Sequence, residues 1–106
     1  VTVTRGTTNT NDRGSAADRR RRKAWLLAEH GDGVTCPCWY CLEPVTIATI
    51  QVDRIIPGAL GGTYARANVR PSCGPCNRRA GHALQAAIRA RVPRRTLVSL
   101  CRLGLL

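Results

Sequence analysis

Four cysteines in two short pairs, Cys38-Trp39-Tyr40-Cys41 and Cys73-Gly74-Pro75-Cys76, carry the clearest chemistry in this chain. Each Cys-x-x-Cys makes a tight knuckle, and two knuckles can close a tetrahedral thiolate shell around one Zn²⁺. Cys36 and Cys101 lie outside the pairs. Cys36 competes with Cys38 as a ligand, but it leaves four residues before Cys41, a looser knuckle, so Cys38 is preferred. Cys101 sits in an apolar run and reads as a small core residue.

The second chemical signal is a scarcity. Asp53 is the only carboxylate from residue 44 to the C-terminus, in a chain of net charge +11. A hard cation such as Mg²⁺ needs an anionic oxygen, and in this half only Asp53 supplies one. The competing use of Asp53 is a salt bridge to a nearby Arg. Nearly all the basic residues are Arg, whose planar fork suits phosphate, so the charge balance points to a polyanionic partner.

These groups must be positioned by a domain with few means of building a core. The chain has 106 residues, no Phe, no Met, two Trp and two Tyr. Thin cores of this size usually need a staple, and a structural zinc would be one. Residues 1–14 are polar and aperiodic and read as a disordered arm. Residues 15–106 read as one domain. Ser15 and Asp18 approximate a capping box that opens a helix, and Gly31 closes it. That helix carries Arg19, Arg20, Arg21, Arg22 and Lys23, then Trp25-Leu26-Leu27. Val45–Ala48 and Thr49–Ile55 read as two strands. Pro57-Gly58 and Gly61-Gly62 mark a loop. A helix is expected from about Pro75 or Cys76, with Ala80, Ala83, Leu84, Ala87 and Ile88 as its apolar stripe. Pro93 ends it, and a last helix over about 94–103 is expected to pack back on the core. The polar N-terminus holds no apolar h-region and no apolar run reaches bilayer length. A cytoplasmic location is therefore expected, where such cysteine pairs mean metal more often than disulfide.

The order Val52-Asp53-Arg54-Ile55, Gly61-Gly62, Asn68-Val69-Arg70-Pro71 and Cys76-Asn77-Arg78-Arg79, framed by the knuckles, resembles the HNH (ββα-metal) nucleases over about residues 34–81. The resemblance implies a small α+β fold: a ββα-metal core with zinc knuckles, flanked by an N-terminal basic helix and a C-terminal helix. It implies a metal-dependent endonuclease that hydrolyses DNA phosphodiesters with Mg²⁺, Mn²⁺ or another divalent cation. Carried over by position, Asp53 is a catalytic metal ligand, Asn68 the middle Asn that orients the general base, and Asn77 the ligand on the helix. Arg66, Arg78 and Arg79, with Arg19 to Arg22, are expected to contact phosphates.

Position 54 departs from the family. Its base is a His, and a guanidinium such as Arg54 accepts no proton near neutral pH. Arg54 is expected to hold the scissile phosphate instead. His82 falls about 140° around the helix from Asn77 and is expected to face away. The alternative reading is a zinc-stapled nucleic-acid-binding protein that does not cut. The run Arg-Arg-Lys-x-Trp-Leu-Leu and the Gly61-Gly62-Thr63-Tyr64 loop resemble short HNH-type proteins of actinobacterial phages. That resemblance implies a host cytoplasm and a phage packaging enzyme as a further partner.

Overall fold

The computed structural model describes residues 13–106; most of the expected N-terminal arm lies outside them. Helix α1 (Ala16–His30) opens on the capping box read from the sequence. Ser15 Oγ accepts from Asp18 N at 3.1 Å, and Asp18 Oδ2 accepts from Ser15 N at 3.0 Å. Leu26 and Leu27 form its buried face. Gly31 ends it where the chain turns on itself: a Cβ there would lie 2.0 Å from Thr35 O. Asp32 Oδ1 then accepts from Val34 N and Thr35 N and shapes the approach to the first strand.

Strands β1 (Cys36–Pro37) and β2 (Pro44–Val45) form an antiparallel hairpin whose turn carries Cys38 and Cys41. Strands β3 (Gln51–Arg54) and β4 (Val69–Ser72) form a second antiparallel pair, with Asp53 opposite Arg70 and Arg54 opposite Val69. Both strands expected over 45–55 are shortened. Thr46 and Thr49 are the reason, because their hydroxyls accept from Ala48 N and Thr46 N and fold residues 46–49 into a turn. Threonine hydroxyls that capture nearby backbone groups compete with strand pairing in this way.

Helix α2 (Gly74–Arg89) starts directly after β4, with Pro75 in its first turn, and α3 (Arg94–Arg102) follows Pro93. The buried side chains form two clusters. Leu26, Leu27, Val45, Ile50 and Val69 gather beneath α1 with Cys36, Cys38 and Cys76. Leu60, Leu84, Leu97 and Cys101 join the Gly-rich loop to α2 and α3, so the last helix does pack back. The apolar stripe of α2 is narrower than expected: Leu84 is buried, but Ala83 and Ile88 are exposed.

The loop between β3 and β4 is set by close backbone approach at Gly62. A Cβ at this position would lie 1.5 Å from the carbonyl oxygen of Ile56 and 2.9 Å from Asn68 Nδ2. Only glycine fits unless the loop moves. Gly62→Ala is expected to cost at least about 1–3 kcal/mol, as overpacking does. For a domain of this size each kcal/mol lowers the melting midpoint by about 4–8 °C. A thermal melt checks it, and an unchanged midpoint would contradict the loop geometry.

Candidate active site and metal centre

The two knuckles meet. The sulfurs of Cys38, Cys41, Cys73 and Cys76 all lie within 4.8 Å of one another. Cys41 Sγ and Cys73 Sγ are 3.8 Å apart, close to the roughly 3.8 Å edge of a tetrahedron with Zn–S bonds of about 2.3 Å. The β1–β2 turn supplies one pair and the β4–α2 junction the other. Trp39 N donates to Pro71 O at 2.8 Å and ties the two parts together.

The protein also prepares these sulfurs to carry charge. Burial opposes ionisation of Cys38, but backbone N–H groups of Cys41, Cys73 and Tyr40 outweigh it and hold the thiol at about 6. Arg79 Nη2 donates to Cys76 Sγ at 2.8 Å. Burial and the neighbouring sulfurs nevertheless push Cys76 up to about 12. Four sulfurs this close cannot all ionise without a cation among them, so the tetrad is placed to hold one metal ion, and an all-thiolate set fits zinc. Cys36 is buried outside the tetrad, its thiol pushed up mainly by burial, and Cys101 belongs to the second core cluster.

Asp53, Arg54 and Asn77 open into one cleft of about 260 Å³, together with Tyr40, Tyr64 and Arg70. Gly81 on α2 also lines it, and His82 does not. Asp53 is 8% exposed. Its Oδ2 accepts from Arg70 Nε at 2.7 Å and from the Tyr40 hydroxyl at 2.9 Å. Arg70 Nη2 also donates to the Tyr40 oxygen, so the three side chains close a ring. Burial, followed by the charge of Asp53, pushes Tyr40 up to about 12, which keeps it a phenol donor.

Sequence reasoning missed both partners of Asp53. Tyr40 hides inside a knuckle, where it reads as spacer between ligands. Arg70 is one of many arginines, and only the β3–β4 register singles it out, since directly opposed residues share a face. The salt bridge weighed as a competing use of Asp53 is therefore present.

Arg54 is held from two sides. Its guanidinium stacks on the Tyr64 ring at 4.4 Å, and a Cβ on Gly58 would lie 2.9 Å from its terminal nitrogens. Arg22 from α1 stacks on the same ring at 4.6 Å. Asn68 grips the loop: its Oδ1 accepts from Ile56 N at 2.9 Å, while Nδ2 donates to Ile56 O and Thr63 O. Those bonds fix the chain just beyond Arg54.

The arginines expected on DNA are dispersed. Arg78 is exposed, Arg79 lies on Cys76, and Arg66 stacks on Trp25 at 4.9 Å. On α1, Arg21 pairs with Asp18, Arg19 donates to Gly14 O, and Arg20 is exposed.

A family model for HNH endonucleases matches residues 38–93, from the first cysteine of the tetrad through α2 to Pro93. The match covers more than half of the chain, and the protein belongs to the HNH endonuclease family. No curated protein and no solved structure matches it significantly. Among the described residues no helix is long and apolar enough to cross a membrane.

Proposed function

We propose that the protein is a metal-dependent DNA endonuclease stapled by one structural zinc on Cys38, Cys41, Cys73 and Cys76. The observation that carries this reading is the convergence of Asp53, Arg54 and Asn77 on one cleft in a chain of the HNH family. Asp53 and the carbonyl of Asn77 would hold a divalent cation there. Two protein ligands suffice for Mg²⁺ or Mn²⁺, which keeps several waters and takes its remaining oxygens from a substrate phosphate. When bound, that metal supplies Lewis-acid polarisation of the phosphate.

The chain's own residues do the rest. Arg54, clamped by Tyr64 and the Gly58 backbone, presents a fixed cation to the scissile phosphate and stabilises the charge that builds on it. It takes no proton. Tyr40 takes none either, because burial and Asp53 keep its phenol protonated. Asn68 acts on Arg54 indirectly, by pinning the loop that follows it. Arg78, with Arg19, Arg22 and Lys23 of α1, holds the DNA backbone and fixes register without reading bases. On this reading the activity would belong to a host cytoplasm, with a packaging enzyme as a second partner, which is what the resemblance to phage proteins implies.

A specific observation favours a second reading, in which the protein binds nucleic acid without cutting it. Asp53 is already neutralised by Arg70 and the family's His is replaced by Arg54. Nicking of supercoiled plasmid by zinc-loaded protein separates the two. Nicked circles should appear with added Mg²⁺ or Mn²⁺ and be absent when the divalent metal is omitted. A wild type inert with every divalent metal, yet bound to the plasmid, would establish the second reading.

A further inference from the structure

A second cavity lies on the α1 side of the candidate active site. It measures about 270 Å³, and Arg13, Arg19, Arg22 and Lys23 line it. No acidic side chain lines it among the described residues. Its opposite wall is Gln51, Val52, Tyr64 and Asn77, and the last three also line the Asp53 cleft. The two cavities are therefore neighbours, with Tyr64 and Asn77 between them.

Four cations converging on one cavity repel one another unless an anion joins them. The cost is set by proximity, since unit charges a few ångströms apart interact by kilocalories per mole near a protein surface. Helix α1 adds to the problem, because its basic residues crowd the positive end of its dipole. The local structure holds the cations in place nonetheless. Arg22 is stacked on Tyr64 and donates to Arg13 O at 3.1 Å, and Arg19 donates to Gly14 O at 3.3 Å. Arg21 is turned to Asp18 and Arg20 points into solvent, so only part of the basic run serves this cavity.

We propose that this cavity is a phosphate subsite, which holds a backbone phosphate of DNA next to the one in the Asp53 cleft. The ligand class follows from the donors: guanidinium forks and one ammonium suit a phosphodiester oxygen, and Gln51 adds an amide donor. The position follows from the shared wall. A strand whose scissile phosphate meets Arg54 continues past Tyr64 and Asn77 into the α1 cavity. Arg22 and Arg54, stacked on one ring, hold consecutive segments of that strand. This rests on the reading of DNA as the partner, and it gives α1 a role that the residues matched to the family do not include.

The test is binding of a short labelled DNA duplex to the full zinc-loaded chain, without added Mg²⁺, over a series of salt concentrations. Lys23→Gln should weaken binding and lower the salt slope by about 0.9, the loss of one phosphate contact. Gln51→Glu puts a negative charge into the cavity from an exposed strand position, with no change to α1, and should weaken binding too. Arg20→Gln, on the same helix but exposed and outside the cavity, should change affinity less than about twofold. The subsite is overturned if Arg20→Gln matches Lys23→Gln, or if Gln51→Glu binds as wild type. A wild type that binds but never cuts removes the nuclease reading and leaves the subsite standing. A wild type that cuts, with Lys23→Gln and Gln51→Glu behaving as Arg20→Gln, removes the subsite alone.

Discussion

Cys73→Ser should leave a chain with no bound zinc and no fixed tertiary structure. The tetrad joins the β1–β2 turn to the β4–α2 junction, and Cys38 and Cys76 belong to the buried cluster beneath α1. Structural zinc in small domains contributes about 10–16 kcal/mol of apparent binding energy. Whole domains are stable by only about 5–15 kcal/mol. Losing a ligand therefore removes more than the remaining core can supply, in a chain without Phe or Met. Cys36→Ala is the control. Cys36 is as buried as Cys38 and Cys76 but stands outside the tetrad, so its loss should cost about 1–3 kcal/mol and keep one zinc per chain. Zinc content and near-ultraviolet circular dichroism read both variants. A folded, zinc-loaded Cys73→Ser protein, or a Cys36→Ala protein without metal, would overturn the ligand assignment.

The tetrad was legible because its chemistry is local: two knuckles of fixed spacing need no knowledge of the fold. The capping box of α1 and Gly31 were legible for the same reason, whereas α2 ends at Arg89, short of the stop expected at Pro93. Asp53 stood out as the lone carboxylate of its half, and it does line the cleft with Asn77. Its partners did not stand out. Tyr40 reaches it across 13 positions and Arg70 across 17, and both contacts exist only once strands and knuckle are assembled. Residues 46–49 were misread as strand because β-branched composition cannot distinguish pleated pairing from threonine hydroxyls closing a turn. For Arg79 the sequence shows the charge and hides the bond to Cys76.

Asp53→Ala should abolish nicking, yet taken alone this result would decide nothing. Arg70 is buried, with its side chain 4% exposed, and Asp53 is its carboxylate partner. Removing one member of a buried pair leaves an uncompensated charge and costs about 3–5 kcal/mol, so the single variant loses stability along with any metal ligand. Replacing both members is different, because well-packed apolar groups can substitute for a buried pair at little or no cost. Asp53→Ala combined with Arg70→Met should therefore regain most of the stability lost in Asp53→Ala, keep its zinc and bind DNA as wild type. Arg70 is too buried to be a phosphate contact. If Asp53 is a ligand of the catalytic metal, the double variant should still nick at least about a hundredfold more slowly, a loss comparable to removing a single electrostatic stabiliser from an active site. Thermal melting and a nicking time course on the two variants measure the two effects separately. Recovery of stability without recovery of nicking assigns Asp53 to the chemistry. Recovery of both would make the Asp53–Arg70–Tyr40 ring a structural bridge between β3, β4 and the first knuckle, and the metal would have to be held elsewhere.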